Sequence, residues 1–290
     1  MRASTSTFVE IRRLRYHVRH WAGSGPRVFL LHGWMDVSAS FQFLVDALPA
    51  HWDILAPDWR GYGLSAWSGA DCYWFPDYIA DLDQLLERMQ PDAPAIVVGH
   101  SLGGNVATHY AGIRPERVAR LVNLEGFGMS ATQPEQAPER YARWMAQLRQ
   151  PPSFKPYASF EDLAGRMRRS NPRLTPERAG FLCRHWGEEG ADGSVRLRSD
   201  PAHKLINATL YRIEESRACW TRVEAPVLWV DAAQSETPGR MGLSADEQAA
   251  RRAVFRTLRH VTVPDAGHML HHDQPEAVAG LIRSFVEDGA

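Results

Sequence analysis

The apolar run Ile-Val-Val at 96–98 ends abruptly in Gly99-His100-Ser101-Leu102-Gly103-Gly104, after which residues 102–113 read as a helix. A strand that turns into a helix within a few residues crowds its backbone, so the flanking positions want glycine. Chains that stack helices on a parallel sheet need such junctions. The same rhythm runs through much of the chain. Short apolar runs at 28–31, 54–56, 121–124, 227–230 and 261–263 alternate with helical patterns over 38–48, 76–90, 244–258 and 275–287. Within 76–90, Tyr78, Leu82, Leu85, Leu86 and Met89 recur at helical spacing. The alternation predicts an α/β fold, a mostly parallel sheet with helices on both faces.

The rhythm breaks between 127 and 222. That stretch is rich in Arg, Pro and Trp, carries helical fragments over 137–150 and 159–169, and shows no clear strand. A chain of 290 residues suits one large α/β domain with an insertion. The expected organisation is therefore a core of 1–126 and 223–290, interrupted by a helical cap at 127–222. Ligand sites in open α/β sheets lie beyond the carboxyl ends of the strands. An insertion leaving from a strand end would cover that site as a lid.

Several function classes are disfavoured. With 33 basic and 34 acidic residues the formal charge is -1, which points to neither nucleic acid nor an anionic membrane as partner. Arg12, Arg13, Arg15 and Arg19 alternate with Leu14, Tyr16 and Val18, the pattern of an edge strand with one wet face. Cys72, Cys183 and Cys219 are far apart and odd in number, so neither a disulfide framework nor a zinc site is expected. No membrane span and no signal-peptide core are evident, which fits a cytoplasmic location. The expected partner is a small-molecule substrate, with the chain a monomer or homodimer.

Three segments carry chemistry. Gly99-His100-Ser101-Leu102-Gly103 matches the nucleophile elbow in the context it requires, and a serine hydroxyl becomes nucleophilic when raised beside a base. The helix after it directs its N-terminal partial positive charge at a developing oxyanion. His32-Gly33-Trp34 closes the run 28–31, and the backbone N–H groups of Trp34 and Leu102 are the expected oxyanion donors. His32 is expected to stabilise its loop. Near the end, Ala266-Gly267-His268 follows the run 261–263, and an imidazole there can take the serine proton and return it to a leaving group. His271 and His272 follow closely but come with no carboxylate at ligand spacing, so they are expected to pack or cap and no metal is expected. The acid that orients His268 has two candidates: Glu236, on the loop after 227–230, is preferred, and Glu125, at the end of 121–124, is the rival.

Together these residues resemble the α/β-hydrolase superfamily. Pro57-Asp58-Trp59-Arg60-Gly61-Tyr62-Gly63-Leu64-Ser65 strengthens the likeness, matching a structural P-D-x-R-G-x-G-x-S stretch of that family. Ala233-Gln234-Ser235-Glu236 is similar to its G-E-x-S-D acid loop, with Glu236 in the acid place and Ala232 where the family has glycine. The resemblance covers roughly 25–125 and 224–287, and 127–222 would be the variable cap. It implies a Ser101–His268–acid triad that needs no cofactor. Members that dehalogenate or open epoxides carry aspartate at the elbow, so Ser101 argues against those reactions. The reading it favours is hydrolysis of a small to medium apolar carboxylic ester. Hydrolysis of carbon–carbon bonds in ring-cleavage products and slow-turnover ligand sensing are the alternatives. Tyr73, Trp74, Phe75, Trp144, Trp186 and Trp220 are candidates to line an apolar pocket, or else to pack the cap onto the core.

Overall fold

The computed structural model describes residues 1–287. The strands are β1 (Thr5–Ile11), β2 (Leu14–Trp21), β3 (Arg27–Leu31), β4 (Asp53–Pro57), β5 (Ala95–His100), β6 (Val118–Leu124), β7 (Gly187–Glu189), β8 (Val195–Leu197), β9 (Val227–Ala232) and β10 (Leu258–Val263). The helices are α1 (Gln42–Ala47), α2 (Phe75–Met89), α3 (Leu102–Ile113), α4 (Ala137–Arg149), α5 (Phe160–Ser170), α6 (Pro176–Trp186), α7 (Ile213–Trp220), α8 (Thr237–Arg240), α9 (Ala245–Arg252), α10 (Leu270–Asp273) and α11 (Pro275–Glu287). Eight strands form one sheet in the order β1-β2-β4-β3-β5-β6-β9-β10, with β7 and β8 a separate hairpin. β1 and β2 pair antiparallel with their neighbours, and the other strands run parallel.

The apolar runs are continuous because both faces of the sheet are covered. Alternate residues enter opposite cores. Phe29, Leu31, Val97, Leu121, Val227 and Trp229 pack into one core with α2, α3 and α7. Val28, Leu30, Val98, Val122, Leu228 and Val230 pack into the other with α1 and α11. In α3, all residues from Gly103 to Gly112 are buried. The helix that follows Ser101 is therefore clamped on every side. A third, smaller cluster joins Leu163 and Met167 of α5 to Leu182 and Cys183 of α6 and to Val195 of β8.

Several local expectations are revised. The stretch 12–19 is not the edge: Arg12 and Arg13, at φ 49° and 65°, make a two-residue turn, and β1 pairs outside β2. Both central residues at positive φ define the type I′ hairpin turn, which favours Asn-Gly and not Arg-Arg. The helix expected over 38–48 begins as a 3₁₀ turn at Ser38–Phe41 before α1. The helix expected over 244–258 stops at Arg252, because Phe255 turns inward onto Trp220 and Trp229 and the chain re-enters the sheet at Leu258. The stretch 127–222 also holds α6, α7 and the β7–β8 hairpin, none of which its composition announced.

The order of strands sets the site. β3 and β5 lie side by side, Leu31 opposite Gly99, and β6 lies next, with His100 opposite Leu124. The chain order reverses between β3 and β5, and the loops leaving their carboxyl ends diverge there to leave a crevice.

Candidate active site

Ser101 follows the carboxyl end of β5 at that point. Its φ of 52° and ψ of -113° put a non-glycine residue in a sparsely populated region. Its amide donates to Leu124 O (2.8 Å) and its carbonyl accepts from Asn105 N (2.9 Å), so the strained residue is tied on both sides. The elbow closes only because its flanks lack side chains. A Cβ at Gly99 would stand 2.3 Å from Gly103 O, and one at Gly103 would stand 2.1 Å from Leu31 O.

The structure brings Ser101 and His268 together. His268 Nε2 lies 3.0 Å from Ser101 Oγ, and its Nδ1 lies 3.1 Å from Glu125 Oε2. A carboxylate only accepts, so Nδ1 carries the ring proton and Nε2 is left to accept the serine hydroxyl. Glu125 is 1% exposed and, like Ser101, has positive φ, 58°. Its Oε1 accepts from Ala232 N (2.6 Å), and its Oε2 accepts from the Ser235 hydroxyl. Asn123 pins the same turn: Gly126 N donates to its Oδ1 (2.7 Å) and its Nδ2 donates to Gly126 O (3.0 Å).

Glu236, the preferred acid in the sequence, is not at His268. Its side chain is 74% exposed and pairs with Arg240 one turn further along. The cause is topological. The loop after β9 starts one strand further from Ser101 than the loop after β6, and its turn directs Ser235 inward and Glu236 into solvent. The rival, Glu125, is the carboxylate that meets His268 Nδ1. Asp231 is committed elsewhere, to Arg252 (3.1 Å), His260 (2.7 Å) and Trp229 (2.7 Å).

The loop after β3 lies against the elbow. A Cβ at Gly33 would stand 3.2 Å from Ser101 Cβ and 2.9 Å from His100 Nδ1. Among the described residues, neither the Trp34 nor the Leu102 amide donates to a protein acceptor. His32 braces this loop: Nδ1 donates to Gly33 O (2.8 Å), and Nε2 accepts from Trp59 N (2.9 Å). Burial pushes its pKa down to about 4, so it stays neutral. The Trp34 side chain is 54% exposed and its indole reaches His203 O (3.2 Å) in the 127–222 segment.

Two partners of the site carried no sequence signal. Ser235 bonds Glu125 across two strands, and His100 Nε2 donates to His268 O (2.8 Å), fixing the loop that carries the base. Burial, then the neighbouring His268, holds the His100 pKa well below the usual histidine range. His271 and His272 are fully buried. His271 packs on His100 (ring centroids 4.5 Å apart), and His272 Nε2 meets Ser40 Oγ (2.6 Å). The fold does supply a carboxylate that local spacing did not: Asp36, His271 and His272 place ligand-type atoms within 4.8 Å of one another. His271 Nε2 lies 3.9 Å from Asp36 Oδ2, and His272 Nε2 is engaged by Ser40. Of the aromatics, Trp220 is buried against His109 and Phe255, and Tyr73 stacks on His203, both in packing roles, while Trp74 is 49% exposed.

Comparison with known proteins identifies the family. The chain is 28% identical over 279 residues to a serine hydrolase-like protein of Danio rerio, covering 92% of this chain and 83% of that one. It is 29% identical over 282 residues to the 2-(acetamidomethylene)succinate hydrolase of Mesorhizobium japonicum, covering 96% and 94%. Among solved structures, the thioesterase domain from the curacin biosynthetic pathway superposes with a TM-score of 0.86 at 21% identity, covering 97% of this chain and 99% of that one, a likeness of fold. The alpha/beta hydrolase fold family matches residues 26–275, and the chain belongs to that family.

Proposed function

We propose that this member of the alpha/beta hydrolase fold family is a serine hydrolase that cleaves small to medium apolar carboxylic esters through an acyl-enzyme on Ser101. The observation that carries the reading is the unbroken relay from Ser101 Oγ through His268 to Glu125 Oε2, with steps of 3.0 and 3.1 Å, at a strained strand-to-helix turn. In this reading Ser101 Oγ attacks the acyl carbon and His268 Nε2 takes its proton. The carbonyl oxygen becomes an oxyanion, held by the Trp34 and Leu102 N–H groups. One such donor is worth ~3 kcal/mol. The protonated imidazole, steadied by Glu125, passes its proton to the departing alkoxide, and the alcohol leaves. His268 then takes a proton from water, hydroxide adds to the acyl carbon, and Ser101 recovers its proton as the carboxylic acid departs.

Residues 127–222 act as the cap in this proposal. The Trp34–His203 contact ties the oxyanion loop to them, and α4 buries none of its residues. A helix held so lightly is the part of a cap that moves for substrate entry. The apolar preference rests on the exposed Trp34 and Met129 on the loops leaving β3 and β6.

Fluorophosphonate labelling of wild type against Ser101→Ala, with hydrolysis of p-nitrophenyl acetate and butyrate alongside, tests the reading. Labelling and turnover are expected in the wild type and absent in the variant. A folded wild type that neither labels nor hydrolyses either ester would overturn it.

A further inference from the structure

A cavity of about 290 Å³ opens where β1, β2, the turn before α1 and the loop after β4 meet the end of α6 and the residue following β8. Neither Ser101, His268 nor Glu125 lines it. Its walls include Arg19, Arg184, His185, Arg198, Ser6 and Ser38. Among the described residues, none of the three guanidinium groups is paired with a carboxylate. Arg19 Nη1 donates to Ser4 Oγ (2.9 Å), Arg198 Nε donates to Gly187 O (3.1 Å), and Arg184 lies over the Phe160 ring (5.2 Å). Most of their N–H donors are therefore uncommitted.

Two buried polar atoms at this cavity also lack partners. Ser38 is fully buried and its hydroxyl bonds to nothing, and Arg19 Nε is buried and unbonded. Buried polar groups normally find a partner, so these two leave the wall under-satisfied. The carboxylate in the wall, Asp58, does not supply it. Asp58 Oδ1 accepts from Ser38 N (2.6 Å), and its Oδ2 accepts from His17 Nδ1 (2.7 Å) and Leu64 N (2.9 Å). His185 shares this wall with Arg19 and Asp58. Burial first, and then Arg19, pushes its pKa down to about 4.

We propose that this cavity binds a phosphate-class oxyanion, free or as the head of a small phosphomonoester, between the side chains of Arg19, Arg184 and Arg198. Guanidinium groups match the spacing and planarity of oxyanion acceptors and form charge-assisted hydrogen bonds with them. An occupant joins the sheet edge to the 127–222 segment across a seam that the protein leaves short of negative charge. Binding to the folded state then raises thermal stability in proportion to occupancy.

The test is calorimetric titration with inorganic phosphate and, separately, glycerol phosphate, in a chloride-matched buffer at fixed ionic strength, with melting temperatures recorded alongside. Wild type and Ser101→Ala should bind equally, which separates this site from the triad. Arg184→Gln and Arg198→Gln, both at incompletely buried positions, should each weaken binding by about tenfold or more. Arg149→Gln on α4 should leave it unchanged. Tighter binding of glycerol phosphate identifies a phosphomonoester as occupant, and equal binding identifies the free anion. Absence of saturable binding by both ligands, or binding that survives both arginine substitutions, would overturn the proposal.

Discussion

Replacing Glu125 by glutamine tests the relay at the point where sequence and structure diverge. The outcome follows from which atom each neighbour offers. Glu125 Oε1 accepts from the Ala232 amide (2.6 Å), and a backbone N–H cannot accept in return. A glutamine must therefore keep its oxygen there. Its NH₂ falls where Oε2 stood, facing the Ser235 hydroxyl and His268 Nδ1. The imidazole must then accept at Nδ1 and carry its proton on Nε2, directed at Ser101. In that tautomer it cannot take the serine proton. A wrong tautomer in an intact triad lowers kcat by a factor on the order of 10⁴, or roughly 5.5 kcal/mol of barrier. The assay is kcat for p-nitrophenyl butyrate with the fluorophosphonate labelling rate, on protein whose melting temperature shows it is folded. Glu236→Gln is the control. Its side chain is in solvent and its Arg240 pair is a surface pair, so kcat should stay within about twofold. A Glu125→Gln enzyme that keeps a tenth of its activity, beside a dead Glu236→Gln enzyme, would refute the reasoning.

Other substitutions probe the supports. Ser235→Ala removes a hydroxyl from a buried carboxylate without touching Ser101 or His268. It should lower kcat by about tenfold with KM unchanged, and a matching rise in KM would argue for a binding role instead. Gly103→Ala adds a Cβ 2.1 Å from Leu31 O, so urea denaturation should show a loss of about 2–3 kcal/mol and labelling should slow. Asp81→Ala strands the buried Arg60, which Asp81 engages at 2.5 and 2.6 Å, and should cost about 3–5 kcal/mol in the same assay. Burial raises the Asp36 pKa from 3.8 to about 7, so the folded state holds a proton that the unfolded chain releases. That contribution is complete below pH 4 and is lost as pH rises to 7, about 4 kcal/mol in all. Asp36→Asn should flatten the dependence, and parallel wild-type and variant stability curves from pH 4 to 8 would contradict it.

The meeting of Ser101 and His268 was legible because each residue is announced locally. Ser101 stands between an apolar run and a helix, and His268 follows a glycine at the end of another run. Which glutamate meets His268 was not, because that depends on strand order. Glu125 and Glu236 both follow apolar runs and both lie between Ser101 and His268 in the chain. That β6 and not β9 borders β5 is a tertiary fact with no local cause. Ser235 and His100 were hidden for the same reason, since their partners lie 110 and 168 residues away. The helix over 244–258 was overextended because Val254 and Phe255 continue its apolar period, while in the fold Phe255 serves the core beneath α7. Within 127–222, α6 begins with Thr175 capping Arg178 N and Pro176 at its first position, a start signal readable in hindsight.

Meeting His268 with the carboxylate at the end of β6 has a consequence for what this scaffold tolerates. Ser101 N is bonded to Leu124 O and Glu125 N to Val230 O, so Ser101 and Glu125 are bolted to neighbouring strand ends as one rigid unit. The stretch between β9 and β10 contributes to the relay only through Ser235 and the Ala232 amide. From Glu236 to α9 it carries no member of the relay. That segment can be lengthened, shortened or replaced, by evolution or by an engineer, with the proton path left in place.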